Sequence, residues 1–236
     1  MQPALSASAI RAVLLDIEGT ILPIRFVHET MFGYARTALD QFLTSDAARA
    51  PEIEAALAAI AHARPGLAVA DAIRSLMDAD EKFGPLKLLQ GRIWADGFRT
   101  GALRSTFYPD VAPALHAWAA RGMTLAIYSS GSIEAQRLLV AHGTDGDLTD
   151  LLAGFFDTST GPKRDAASYR TIAATLAIPA ATLLFLSDHP AELDAATEAG
   201  MQTCQLVRPL DGTKPSVAHP HAADLAQVTQ RFGLNA

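Results

Sequence analysis

The chain has a single cysteine, Cys204, among its 236 residues. No internal disulfide can form, and a reducing compartment, the cytoplasm, is the expected setting. Cys204 stands in the apolar run Thr203–Val207, which suits a buried packing residue rather than a nucleophile. Clustered positive charge is also missing. The net charge is −6, which argues against nucleic acid and anionic membranes as partners. Long apolar stretches are absent too: the longest charge-free run, Thr171–Ser187, carries polar residues and Pro179. It reads as a helix end, a turn and a strand rather than a membrane span. Met1–Ile10 has neither the basic start nor the apolar stretch of a targeting peptide. His28, His62, His116 and His142 fall singly in helical patterns, and His219 and His221 flank Pro220 as only two potential metal ligands.

What the chain has is apolar residue, 50% of the total, enough for a sizeable core. Ala12-Val-Leu-Leu15 is a short apolar run that stops on Asp16-Ile-Glu-Gly-Thr20. Such a run suits a strand buried on both faces of a parallel sheet. Residues two apart share a face of a strand, so Asp16 and Glu18 project together from its carboxyl end, where ligands bind in open α/β sheets. Two adjacent acids repel unless a cation lies between them, and a hard divalent ion such as Mg²⁺ fits; a plain solvated strand end is the competing reading. Further strands are expected at Thr124–Tyr128, Thr182–Leu186 and Thr203–Val207. The first runs into Ser129-Ser130-Gly131-Ser132 and the second into Ser187-Asp188, with Gly161-Pro162-Lys163 between them.

Those strand ends suit one chemistry. Asp16 can attack a phosphoryl group and form an aspartyl-phosphate, splitting one displacement into two. Mg²⁺ held by Asp16, Asp188 and an oxygen at Glu18 would bridge nucleophile and phosphate. Ser129 or Ser130, with the amide of Gly131, would hydrogen-bond phosphate oxygens. Lys163 would oppose the charge of the transition state, and Glu18 is placed to protonate the leaving oxygen and then activate water.

These residues resemble the haloacid-dehalogenase superfamily of phosphohydrolases. Leu15–Thr20, Pro23, Phe26-Val27, Leu89-Gln-Gly91 with Trp94, Asp110-Val111, Tyr128–Gln136, Phe156-Asp-Thr158, Ser168-Tyr169 and Phe185-Leu-Ser-Asp188 narrow the resemblance to the enolase-phosphatase E1 family. The resemblance runs from about Ala12 to Arg208. It implies acireductone synthase chemistry in methionine salvage: enolisation of 2,3-diketo-5-methylthiopentyl-1-phosphate, then Mg²⁺-dependent loss of phosphate. Carried over by position, Asp16, Glu18 and Asp188 serve one Mg²⁺ per subunit, and Ser129, Ser130 and Lys163 bind substrate. The chain departs from the family pattern at Ile21-Leu22, where further threonines are usual, and at His189-Pro190, where Val commonly follows the acid.

The long interval between Asp16 and Ser129, against the short one between Lys163 and Asp188, points to an insertion after the first strand. Its Ala- and Leu-rich sequence predicts helices over Val27–Leu43, Pro51–Arg64, Val69–Asp80 and Leu86–Thr100, with breaks at Arg64-Pro65-Gly66 and Gly84-Pro85. The expectation is therefore a doubly wound α/β parallel-sheet core, Rossmann-like and of the haloacid-dehalogenase type, over 1–25 and 109–236. A helical cap over 26–108 is inserted in it, and the resemblance implies that it closes over the substrate. Ser132 is expected to cap a helix over Ile133–Ala141, Pro190 to open one that stops at Gly200, and a last helix to run from Ala222 to Phe232. Glu192 reads as an ordinary first-turn acid or a neighbour of the metal ligands, and His189 as structural. The partner expected is a small phosphate ester, and the chain is expected to be a monomer. Two rival functions fit parts of the pattern. One is a phosphatase of the same superfamily for another small ester; the other is a phosphoacceptor signalling module, against which the large insertion counts.

Overall fold

The structure, a computed structural model, describes residues 9–234; Met1–Ser8, most of the segment weighed as a targeting peptide, lie outside them. Strand β1 (Ala12–Leu15) is followed by a π-helical turn, Phe26–Met31, and by α1 (Phe32–Thr44), α2 (Pro51–Ala63), α3 (Val69–Asp78) and α4 (Gly84–Thr100). Then come α5 (Val111–Ala120), β2 (Thr124–Tyr128), α6 (Ile133–Ala141), β3 (Gly154–Phe156), α7 (Ala166–Thr175) and β4 (Leu183–Ser187). The chain finishes with α8 (Pro190–Glu198), β5 (Gln202–Leu206), β6 (His221–Ala222) and α9 (Leu225–Arg231). Two compact units result. An α/β unit ends its first segment at Ile24 and resumes at Ser105, and a helical unit spans Arg25–Arg104.

In the α/β unit all the strands pair in parallel, in the order β3-β2-β1-β4-β5-β6. The most apolar strand, β1, therefore sits between β2 and β4, with Leu15 level with Ile127 on one side and Leu186 on the other. Alternation decides what each face covers. Ala12, Leu14, Tyr128 and Phe185 pack with Tyr169 and Ile172 of α7 and Leu193 of α8. Val13, Leu15, Leu125 and Ile127 turn to the opposite face and are fully buried there, as is Trp118 of α5.

Helix ends follow from local chemistry. Ser132 caps α6 by accepting from the amide of Ala135, Pro190 opens α8, and the amide of Gly200 closes it on Thr197. Four boundaries differ from the sequence reading. The break expected at Gly84-Pro85 falls just before it, between α3 and α4, and Gly84-Pro85 itself opens α4, since a proline in the first turn leaves no intrahelical amide unmet. Ala222 belongs to β6, and α9 starts only after Asp224, whose carboxylate accepts from the amide of Gln227. β3 was not anticipated, being three residues long and opening on glycine. Ser105 and Tyr108 lie in the α/β unit because their amides bond to the carbonyls of His142 and Ile21.

The helical unit has its own core, in which Leu39, Phe42, Ile53, Ile60, Ile73, Leu76, Leu89 and Ile93 pack together. The Trp94 indole donates to the carbonyl of Met31 at 2.8 Å, securing the end of the π-helical turn. Among the described residues no helix is long and apolar enough to cross a membrane.

Candidate functional site

Because β1 lies between β2 and β4, the three loops that leave their carboxyl ends are neighbours. Asp16 follows β1, and its amide continues the ladder by bonding to the carbonyl of Leu186 at 2.9 Å. The chain then turns tightly, the amides of Thr20, Ile21 and Leu22 all closing on the carbonyl of Ile17. Gly19 adopts φ +69°, and a Cβ there would lie 2.7 Å from an Asp188 carboxylate oxygen. Only glycine lets the two acidic loops approach this closely. Thr20 joins them directly, its hydroxyl accepting from the amide of Asp188 at 3.1 Å.

The Asp16 carboxylate is buried. Oδ1 accepts from the amide of Ile17 at 2.7 Å and pairs with Lys163 Nζ at 2.7 Å, while Oδ2 accepts from the Ser187 hydroxyl at 3.2 Å. Lys163 also reaches Glu192 Oε2 at 2.7 Å, and Ser187 Oγ lies 3.0 Å from that same oxygen. A hydroxyl carries one proton, so Ser187 serves one carboxylate at a time. The result is a compact cluster of Asp16, Lys163, Glu192 and Ser187.

Burial tunes the charges here. It pushes Glu192 up to about 7, aided by the charge of Asp16 and opposed by Lys163. Burial likewise raises Asp188 to about 7, with Asp16 adding to the effect. Burial pulls the Lys163 ammonium down, but the charges of Asp16 and Glu192 more than reverse this and hold it above its ordinary value. Lys163 is thus a firm cation, and Asp188 is an acid that lacks enough positive charge beside it.

A divalent cation fits that imbalance. Among the described residues no three Asp, Glu, His or Cys side chains gather as a ready-made cage. Mg²⁺ is commonly held by one or two carboxylates, with water and substrate phosphate completing its shell, and Asp16 and Asp188 offer two hard carboxylates on loops held together by Gly19 and Thr20.

Ser129 and Ser130 follow β2 directly. Ser129 is buried at the end of β2, its Oγ 3.4 Å from the amide of Gly131, and Ser130 is exposed. The loop is fixed by Gln136, whose amide donates to the carbonyls of Gly131 and Phe156, both at 2.8 Å. Glu18 is half-buried on the turn after Asp16. His189 caps α8, its Nδ1 accepting from the amide of Ala191, and its Nε2 lies 3.1 Å from Arg164 Nη2. His219 bonds Asp194 at 3.0 Å rather than pairing with His221 around a metal.

Sequence reasoning missed two supports and left a third open. Glu192, weighed as a first-turn acid or a neighbour of the metal ligands, lies four residues beyond Asp188 and meets Lys163. Gln205 donates to the carbonyl of Asp188 at 2.9 Å and so anchors the acid loop. Arg208 donates to the carbonyl of Thr20 through Nε at 2.9 Å and Nη2 at 2.6 Å, with Nη1 2.8 Å from Asp110. No local pattern in the sequence announces either contact.

The haloacid dehalogenase-like hydrolase model matches residues 10–200. Enolase-phosphatase E1 of Gluconacetobacter diazotrophicus is 54% identical over 229 residues, covering 97% of each chain. Enolase-phosphatase E1 of Acidiphilium cryptum is 57% identical over 220 residues, covering 93% of this chain and 94% of its own. The crystal structure of the UTR4 protein of Saccharomyces cerevisiae superposes with a TM-score of 0.79 at 32% identity, covering 92% of this chain and 99% of that one.

Proposed function

The chain belongs to the enolase-phosphatase E1 family of haloacid dehalogenase-like hydrolases, and on that premise we propose how its residues divide the work. As an enolase-phosphatase of methionine salvage it acts on a small phosphate ester. The substrate we assign is 2,3-diketo-5-methylthiopentyl-1-phosphate, and the products are the acireductone 1,2-dihydroxy-3-keto-5-methylthiopentene and phosphate.

One observation carries the assignment of roles: the Lys163 ammonium, 2.7 Å from Asp16 and 2.7 Å from Glu192. This cation lies against Asp16, the nucleophile, and stands where charge on a transferring phosphoryl group would spread. Asp16 attacks phosphorus, and the bond between phosphorus and the substrate oxygen breaks. Glu18 gives that oxygen a proton, then takes one from the water that hydrolyses the aspartyl-phosphate. Ser129 and Ser130 hydrogen-bond phosphate oxygens. Mg²⁺, one per subunit, would be held by Asp16, Asp188 and an oxygen of Glu18 and would supply Lewis-acid neutralisation of the phosphate. In the preceding enolisation Lys163 stabilises the developing enolate, a role in which Asp16 is not consumed. The helical unit is assigned the selection of the diketone tail. We place the protein in the cytoplasm as a monomer that binds neither nucleic acid nor membrane, a reading supported by the single buried Cys204 and the net charge of −6.

A non-hydrolysable phosphonate analogue of the diketone tests the two-step reading. Wild-type protein with Mg²⁺ should generate an ultraviolet enol band from it, and Asp16→Asn should do so too while releasing no phosphate from the natural ester. Phosphate release by wild type without any enol band would reduce the protein to a simple phosphatase.

A further inference from the structure

Lys163 lies in the loop between β3 and α7, outside the sheet ladder and the helix. Three consecutive half-buried or exposed carbonyls of this loop accept from three side-chain hydroxyls, that of Pro162 also accepting from the amide of Asp165 at 3.1 Å. Tyr128 donates to the carbonyl of Gly161 at 2.8 Å, Ser168 to that of Pro162 at 2.8 Å, and Tyr169 to that of Lys163 at 2.7 Å. Tyr128 ends β2, and Ser168 and Tyr169 lie in the first turn of α7.

The donors are themselves immobilised. Both tyrosine rings are fully buried and Ser168 nearly so. The rings meet edge to face at 5.4 Å, and Tyr169 stacks in the same manner on Phe185 of β4 at 5.0 Å. Burial raises both phenols above their ordinary value, so each stays protonated and keeps its donor. Gly161 adopts φ +144°, and a Cβ there would stand 2.2 Å from Ser168 Oγ. The glycine is therefore what lets the loop lie against the hydroxyls. Lys163 Nζ in turn sits 5.9 Å above the Tyr128 ring.

We propose that Tyr128, Ser168 and Tyr169 are positioning residues for Lys163: their hydroxyls hold the backbone at Gly161–Lys163 so that the ammonium is delivered beside Asp16. This rests on the reading of Lys163 as a phosphate-binding cation. A lysine side chain is long and rotatable and its ammonium is a point charge, so a fixed backbone is what sets where that charge stands.

The test is a double-mutant cycle read by calorimetric binding of inorganic phosphate to the Mg²⁺-loaded protein, which needs no turnover. Tyr169→Phe and Ser168→Ala should each weaken phosphate binding by roughly threefold to tenfold and lower kcat. In a Lys163→Ala background the same substitutions should leave phosphate affinity unchanged. Thermal melting reports folding separately; if Tyr169→Phe does not fold, Ser168→Ala and Tyr128→Phe answer the question. Equal losses in both backgrounds would mean that the hydroxyls act on the site without Lys163, overturning the proposal. Unaltered phosphate affinity and kcat in the hydroxyl variants, with Lys163→Ala weakened, would overturn the positioning role alone. An unweakened Lys163→Ala protein would instead overturn the phosphate-binding reading, and the positioning role with it.

Discussion

The ion pairs of the helical unit and those made by Lys163 and Arg208 in the α/β unit are built in opposite ways. In the helical unit Arg36–Asp78, Arg92–Glu52 and Arg74–Asp40 lie on the surface, with Arg74 keeping 31% of its side chain exposed and Asp40 72%. In the α/β unit Lys163, Asp16 and Glu192 keep only 10%, 8% and 12%, and Arg208 keeps 3% beside Asp110. Water screens the first group, so each pair contributes about 0–1 kcal/mol. The second group is withdrawn from water, which costs several kcal/mol per ion unless partners compensate. Charge in the helical unit decorates a fold that hydrophobic packing already specifies. Charge in the α/β unit is the device that the packing exists to hold.

That contrast breaks at four points of decreasing size. Removal of metal should do most. Dialysis against EDTA should abolish phosphate release from the diketone, and added Mg²⁺ should restore it, with circular dichroism unchanged throughout. Undiminished turnover in EDTA would remove the metal from the mechanism. Replacing the helical unit by a short linker comes next: hydrolysis of the diketone should collapse, whereas Mg²⁺-dependent hydrolysis of a small artificial ester should survive in part. Equal loss on both esters would make the unit a folding requirement.

Arg208→Ala should follow, destabilising the protein by about 3–5 kcal/mol in denaturant unfolding, because it strands Asp110 and the carbonyl of Thr20 without their cation. Arg74→Ala, although it removes a pair with both nitrogen–oxygen distances at 2.6 Å, should cost about 1 kcal/mol or less. Similar costs for the two arginines would mean that burial is not what separates the units.

The same contrast explains how much could be read from sequence. β1, β2 and β4 are legible because a strand covered on both faces becomes an uninterrupted apolar run, and Asp16 and Asp188 stand where those runs end. The surface helices are legible for the complementary reason: Pro51 and Val69 begin amphipathic stretches whose period is local. β3 and β6 are not, since three and two residues carry no period, and the π-helical turn at Phe26–Met31 shares its apolar spacing with the α-helix that follows. Within the site, residue types were readable and partnerships were not. Glu192 meets Lys163, and Arg208 meets Thr20, only because the sheet order brings distant segments together. Ser130 shows the limit from the other side: its neighbour Ser129 turns inward and it does not, a difference set by the bend after β2.

The placement of β1 also sets a timetable. It is the first strand made, yet it bonds to none of its near neighbours in sequence: its partners are Thr124–Ile127 and Leu183–Leu186. At a synthesis rate of about 5–20 residues per second, Ala12–Leu15 waits roughly ten to thirty seconds for its second partner to emerge. Contacts so remote in sequence also slow the search for the native pairing. Through that wait the helical unit, whose core is drawn from residues between Arg25 and Arg104, can assemble that core, while the apolar strand β1 stays a bare edge open to any passing one.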